Sequence, residues 1–117
     1  MALRDLTGAV DFSVLEAMTA GDPEITEEVL RLFVEQAGLW SPMLRTDMEG
    51  WKDAAHTLRG AAGGIGARQL AILCEEAEAQ APGLAEPALD RVRGALDAAL
   101  ADVAAYRHGL LLRGLRA

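Results

Sequence analysis

The feature that most constrains the fold is the spacing of apolar residues, which follows a helical period along most of the 117-residue chain. Between residues 51 and 65 the apolar side chains are three or four positions apart, at Trp51, Ala54, Leu58, Ala61 and Ile65. Such a stripe is typical of a helix packed in a bundle. The composition agrees, because 51% of the residues are apolar and only 4% are aromatic, which favours packed helices over sheets. We predict an all-α fold.

Capping and helix-breaking residues divide this pattern into five helices. Asp22-Pro23 combines an N-cap acceptor with a proline at the first helical position. Pro42 should kink or break that helix near Trp40, and the sequence leaves open whether Met43 to Met48 continues it. The Gly63–Gly66 segment is predicted to form the turn after the third helix, because glycine tolerates the left-handed conformation. The predicted helices cover 11–19, 23 to about 40, from between Asp47 and Gly50 to Gly63 or Gly64, roughly 67–80, and about 86–112.

Each predicted helix carries an apolar face. The second helix keeps the helical period at Ile25, Val29, Leu32, Phe33 and Gln36. The faces of the fourth and fifth helices consist of Leu70, Leu73, Cys74, Ala77, Leu89, Val92, Leu96, Leu100, Val103 and Leu110. Because the connections are short and the length suits one domain, the simplest arrangement is antiparallel. We predict an antiparallel four-helix bundle with a short additional N-terminal helix, forming a single domain over residues 1–117.

The chain is acidic, with a net charge of −7 at pH 7 and a pI near 4.7. This charge repels a polyanion and no cluster of Lys and Arg offsets it locally, so we expect no nucleic-acid partner. The first residues lack an apolar signal core, and no run reaches the roughly 18 apolar residues of a membrane span. A single cysteine excludes an internal disulfide. We expect a cytoplasmic monomer without membrane contact.

His56 is predicted to lie on the solvent side of the third helix. A helix advances about 100° per residue, which places the apolar stripe roughly 140° to 220° away from this histidine. Lys52 and Arg59 fall on its own side, where they could pair with an anion held by the ring. Gly60 and Gly63 lie beside the imidazole and leave it open to a large partner. The alternative is that Gly60 serves close helix packing and that the cations belong to an ordinary solvated face.

Glu78 is predicted to be the carboxylate partner of His56. An unperturbed imidazole has a pKa of about 6.5, and one ring nitrogen becomes more nucleophilic when the other donates its N–H to a carboxylate. In an antiparallel helix pair that turns near residue 65, His56 is level with about residue 74, and the tilt of the Cα–Cβ bonds brings it toward a residue one turn later. That residue is Glu78. The alternative is that Glu78 is a plain surface acid.

The segment from His56 to Glu78 resembles the signature of histidine-containing phosphotransfer (Hpt) domains. That signature has a histidine, a leucine two positions on, a basic residue followed by glycine, a further glycine and a later leucine. The matching residues are His56, Leu58, Arg59, Gly60, Gly66 and Leu70. Residues 10–37 look like the short first helix and the long second helix of the family.

The resemblance implies a phosphorelay intermediate in two-component signalling. It makes His56 the acceptor, at Nε2, of a phosphoryl group from a receiver-domain aspartate of a hybrid sensor histidine kinase or response regulator, for transfer to another receiver. Arg59 would steady the phosphoryl oxygens, Gly60 would make room for the receiver, and Glu78 would bond the inner ring nitrogen. The receiver would supply Mg²⁺, and this chain would need no cofactor or metal of its own. Lacking a nucleotide-binding loop or kinase motif, the chain is expected to be a phosphocarrier without ATP-dependent kinase activity.

The chain departs from the family pattern near the histidine. Arg59 stands where lysine is more common, and it presents a planar fork instead of a compact ammonium. Gly63-Gly64 replaces residues that are commonly small or polar.

Two other functions fit parts of the sequence. A helical-bundle adaptor or inhibitor of a signalling kinase would keep the fold without phosphotransfer, although the histidine, basic residue and glycine that it would lose are all present. A metal-binding bundle is suggested by Asp53-x-x-His56, which imitates the Glu-x-x-His of di-iron proteins, but only one such element occurs. Cys74 is predicted to be a buried small hydrophobe, and His108 a surface residue.

Overall fold

The computed structural model describes residues 7–116 as five α-helices joined by short connections, with side chains described through residue 114. No strand occurs among these residues. Two short 3-10 turns, Ser41–Met43 and Pro82–Leu84, follow the second and fourth helices. The helices are α1 (Phe12–Thr19), α2 (Pro23–Trp40), α3 (Trp51–Ile65), α4 (Arg68–Glu78) and α5 (Glu86–Arg116).

The four longer helices form the predicted antiparallel bundle. Each packs against the next one along the chain, and α5 closes the bundle by packing back on α2. The short α1 lies against α2 and α3. The all-α fold and the short additional N-terminal helix are therefore confirmed. In this arrangement α3 lies between α2 and α4.

The starts of α1 and α2 follow local capping chemistry. The side chain of Asp11 accepts the N–H of Ser13, and that of Asp22 accepts the N–H groups of Glu24 and Ile25. The second helix ends at Trp40, just before the turn that contains Pro42. Differences of one to four residues occur elsewhere, because α3 begins at Trp51, α4 ends at Glu78 and α5 continues to Arg116.

The turn between α3 and α4 is shorter than predicted. Gly63 and Gly64 are helical, and Gly66 alone in this segment has a left-handed φ, of +84°. Its N–H caps the last turn of α3 by bonding the carbonyls of Ala62 and Gly63. Its carbonyl accepts the N–H of Asp11 at 2.9 Å. Placing Gly64 in the turn was wrong, because the contact with the start of α1 puts the helix end at Gly66.

The core also differs from the periodic pattern in α2. Leu30, Phe33 and Ala37 are buried there together with Thr26, whose hydroxyl bonds Thr19 at 2.8 Å. By contrast, Ile25 is 50% exposed and Leu32 is 46% exposed. The apolar residues of α2 lie on several of its sides, so their spacing alone predicted a buried face that is partly wrong. Leu32 and Ile25 are thus surface residues of the bundle.

Candidate functional site

His56 lies in the middle of α3 and points away from the core. Its neighbours Trp51, Ala54 and Leu58 are buried, whereas the imidazole side chain is 62% exposed. The predicted direction of the ring is therefore correct. The ring is open to a molecule approaching the bundle from outside.

Glu78 is the last residue of α4 and meets this imidazole from the neighbouring helix. The distance from Nδ1 of His56 to Oε1 of Glu78 is 2.9 Å, and the glutamate side chain is only 22% exposed. An ionised carboxylate only accepts hydrogen bonds, so this contact assigns the proton to Nδ1, whose N–H donates a hydrogen bond to Oε1 of Glu78. The other ring nitrogen, Nε2, then holds a free lone pair. The contact that the sequence predicted is present, and it excludes the alternative of Glu78 as a plain surface acid.

Arg59 stands one turn after His56 on α3. Its Nε is 3.6 Å from Oε2 of Glu78, and its Nη2 is 3.3 Å from Nδ1 of His56. The guanidinium side chain is 36% exposed. The sequence placed Arg59 on the histidine's side of the helix but did not predict its ion pair with Glu78. The sequence assigns a carboxylate and an arginine to the same imidazole, but it does not place the two against each other.

The remaining predicted site residues, Lys52, Gly60 and Gly63, lie on α3 within two turns of the histidine. Lys52 is exposed, and its Nζ lies 5.5 Å from the centroid of the Trp51 ring, within range of a cation–π interaction. Gly60 and Gly63 are exposed, and a Cβ atom built on either would meet nothing within 4 Å. Close helix packing therefore does not require glycine at position 60. What the two glycines leave is open space beside the imidazole.

Comparison with known proteins identifies this arrangement. The family model described as Hpt domain matches residues 23–105, which include the whole segment from His56 to Glu78. The chain belongs to the Hpt domain family. This Hpt domain is also similar to the crystal structure of Histidine Phosphotransferase ShpA from Caulobacter crescentus, at 55% sequence identity and a TM-score of 0.83, over 92% of this chain and 99% of that chain. Among curated proteins, no significant match was found.

The function follows from the family. The Hpt domain is a phosphorelay intermediate in two-component signalling, a phosphocarrier of the class that interacts with receiver domains. The family and the function predicted from the sequence are confirmed. Within residues 7–116 no helix combines the length and the apolar character needed to cross a membrane.

Cys74 and His108 are the single cysteine and the second histidine of the Hpt domain. Burial raises the pKa of the Cys74 thiol to about 12, the charge of Glu78 adds to the rise, and Arg59 opposes it. Cys74 is therefore a buried neutral thiol, as predicted. His108 is exposed and lines a cavity of about 740 Å³ between α2 and α5. In the described part of the chain no three His, Cys, Asp or Glu side chains form a metal-binding group that Asp53 and His56 could join.

Proposed function

We propose that His56 is the phosphoacceptor of this phosphorelay intermediate and that Nε2 is the reacting atom. The observation that carries the proposal is the 2.9 Å bond from Nδ1 to Glu78 on an otherwise exposed imidazole. This bond places the proton on the inner nitrogen and the lone pair on the outer one. Glu78 thus acts by holding one tautomer and one ring orientation.

The transfer step needs only that lone pair from the Hpt domain. Nε2 attacks the phosphorus of a receiver aspartyl phosphate, the N–P bond forms, the P–O bond to the aspartate breaks, and the aspartate leaves as a carboxylate. The ring keeps its Nδ1 proton, and Glu78 offsets the positive charge that develops on it. The reverse sequence passes the phosphoryl group to a second receiver aspartate. Positioning and charge neutralisation supply most of the catalysis in such reactions.

Positive charge and open space complete the proposed site. Arg59 and Lys52 lie one turn after and one turn before His56 and would steady the phosphoryl oxygens. Gly60 and Gly63 would admit the edge of the receiver that carries its aspartate. Mg²⁺ would be held by the receiver, which brings its own acidic residues.

The receiver is proposed to dock on α2 as well as on α3. Because α2 ends at Trp40 and the antiparallel α3 begins at Trp51, His56 is level with about residue 35 of α2. Leu32 and Leu39 flank that level and are 46% and 68% exposed. Exposed apolar residues near the level of the histidine are candidates for the desolvated centre that a protein interface needs. Leu32→Ser should weaken receiver binding, whereas Leu111→Ser, an exposed leucine near the end of α5, should not.

A test of the phosphoacceptor compares the wild type with His56→Gln. Each protein is incubated with a phosphorylated receiver domain from the source organism, and labelled phosphoryl group on the Hpt domain is followed over time. The wild type should become labelled and the variant should not. Equal labelling of the two proteins would contradict the assignment of His56 and would favour an adaptor or inhibitor of a signalling kinase.

Two further parts of the proposal concern the lack of ATP-dependent kinase activity, and the cellular compartment and oligomeric state of the protein. Incubation with labelled ATP alone should leave the protein unlabelled, and adding a kinase with its receiver should restore labelling. We also propose a cytoplasmic monomer, because ATP-fed kinases supply such relays and the free thiol of Cys74 suits a reducing compartment. Light scattering coupled to gel filtration should give a mass near 12.4 kDa. A dimer mass at micromolar concentration would contradict the monomer.

A further inference from the structure

We propose that Arg59 is a positioning residue, which holds the carboxylate of Glu78 against His56 before any phosphoryl group arrives. This proposal rests on the assignment of His56 as the phosphoacceptor. It adds a second duty to Arg59, distinct from contact with the phosphoryl oxygens, because the arginine would act on the imidazole through Glu78.

The environment of Glu78 requires a cation. Its side chain is only 22% exposed, and its Oε2 atom is buried with no hydrogen-bond partner among the described residues. A carboxylate oxygen taken from water without compensation is costly. The ionic partners of Glu78 are His56, through Oε1, and Arg59, whose Nε lies 3.6 Å from Oε2. The nearby thiol of Cys74 is neutral and offers no charge. Arg59 is therefore the one permanent cation beside the orphaned oxygen in the described structure.

The tautomer of His56 decides what Arg59 can bond. Nδ1 has either a proton or a lone pair, and the 2.9 Å contact with Glu78 requires the proton. A guanidinium only donates, so the 3.3 Å approach of its Nη2 to Nδ1 brings together two donors. The two groups lie close together because they face the two oxygens of one carboxylate: Nδ1 of His56 faces Oε1 of Glu78, and Nε of Arg59 lies 3.6 Å from Oε2. Arg59 thus reaches the ring by way of the carboxylate.

The charge balance of the reaction supports the same pairing. Glu78 places a negative charge beside the ring that must receive a phosphoryl group, and like charges repel. The guanidinium offsets this charge in the resting protein. Replacing Glu78 by glutamine keeps an acceptor for Nδ1 but removes the charge that needs Arg59. The effects of Arg59 and Glu78 on His56 should therefore be coupled.

The first experiment measures the tautomer of His56 by ¹⁵N NMR of the imidazole, at a pH where the ring is neutral and without any receiver. The wild type should show mainly the Nδ1–H form. Arg59→Gln should shift the ring toward a mixture with the Nε2–H form, because Glu78 turns to solvent, and Arg59→Lys should restore part of the wild-type ratio. In the Glu78→Gln background, Arg59→Gln should change the ratio little. Arg91→Gln, which removes an exposed arginine on α5, is the matched control and should have no effect.

The second experiment measures phosphoryl transfer from a phosphorylated receiver to four proteins: the wild type, Arg59→Gln, Glu78→Gln and the variant that combines the two substitutions. Loss of the contact between Arg59 and the phosphoryl group should slow transfer equally in the presence of Glu78 and in the Glu78→Gln background. Any additional slowing in the presence of Glu78 therefore measures the positioning role. Arg59→Gln should slow transfer at least about threefold more in the presence of Glu78 than in the Glu78→Gln background. An unchanged tautomer, or equal slowing in both backgrounds, overturns the proposal and leaves Arg59 as a phosphoryl contact alone. The assignment of His56 fails separately, when His56→Gln is still labelled.

Discussion

Oε1 of Glu78 lies 2.9 Å from Nδ1 of His56, although the two residues are 22 positions apart. They meet because α3 and α4 are antiparallel and are joined by a tight turn at Gly66. The exposed ring consequently has one nitrogen facing the protein and one facing solvent. The two nitrogens therefore have different functions in the proposed mechanism, and substitutions around them can test these functions.

Glu78→Ala should slow phosphoryl transfer without abolishing it. The nucleophile remains, but the ring loses a hydrogen bond to a charged acceptor, and the expected cost is about tenfold in rate. Glu78→Gln, which keeps an oxygen acceptor, should lie closer to the wild type. Both rates are measured by transfer of labelled phosphoryl group from a receiver. A rate for Glu78→Ala equal to that of the wild type would mean that the hydrogen bond plays no part in transfer.

Gly60→Ala should separate stability from function. A Cβ at this position meets nothing within 4 Å, so the helix should gain about 0.5–1 kcal/mol in free energy of unfolding. Transfer should nevertheless slow, because the added methyl group stands where the receiver must approach. Gly94→Ala is the matched control, since Gly94 is a helical, exposed residue of α5 with the same open space. It should give the same gain in urea denaturation and an unchanged transfer rate; slowing in both variants would contradict the clearance role.

Gly66→Ala should destabilise the bundle. Its φ is +84°, and a Cβ there would lie 2.3 Å from the carbonyl oxygen of Asp11. The left-handed conformation alone costs roughly 1–2 kcal/mol for a residue with a side chain, so a total loss of about 2 kcal/mol or more is expected by urea denaturation. Gly64→Ala, in helical conformation with open space around it, should not be destabilising. Similar losses at the two positions would contradict the assigned turn.

Asp102→Asn should loosen the segment before α1. Asp102 is fully buried on α5 and accepts the N–H and hydroxyl of Thr7 at 2.7 and 2.9 Å and the N–H of Val10 at 3.3 Å. An amide brings its own donors to this cluster of donors, and we expect a loss of about 2 kcal/mol in free energy of unfolding. Asp97→Asn, at an exposed site on the same helix, should change it by less than about 0.5 kcal/mol. Faster amide hydrogen exchange at Val10 should accompany the loss.

Cys74 should be unreactive in the folded protein and should make stability fall at alkaline pH. Its pKa is raised from 9.0 to about 12 by burial, so the folded state keeps a proton that the unfolded state releases. The contribution to stability is complete below about pH 9 and is lost as the pH rises toward 12. Cys74→Ala should flatten that decline in urea denaturation. At pH 8 a thiol reagent should react slowly until denaturant is added, and rapid labelling of the folded protein would contradict the buried thiol.

Much of the candidate site could be predicted because it depends on short distances along helices. The outward direction of His56 follows from the helical period, and the contact with Glu78 follows from the tilt of side chains in an antiparallel pair. The roles in transfer stay predictions for all of these residues, namely His56, Glu78, Arg59, Lys52, Gly60 and Gly63. The ion pair between Arg59 and Glu78 could not be predicted, because it depends on rotamers that the packing of two helices selects.

Other features escaped prediction for a similar reason. Three hydrogen-bond donors of the N-terminal segment compensate for the burial of the Asp102 carboxylate. The sequence around position 102 gives no sign of these donors. The buried side of α2 includes Thr26, whose hydroxyl is satisfied by Thr19 and by the carbonyl of Asp22. A polar side chain can be buried in a core when a hydrogen-bond partner is present there. Hydrophobic spacing does not register such partners.

The amino-acid sequence by itself determined the helices, their antiparallel order and the outward histidine, because periodicity, capping and breaking residues act within one or two turns of chain. The tertiary structure alone decided which side of α2 is buried, that the turn is confined to Gly66 and Ala67, and that Arg59 pairs with Glu78. These depend on atoms brought together from distant parts of the chain. Close packing and the cost of an unpartnered buried charge then select one arrangement among those that the local pattern allows.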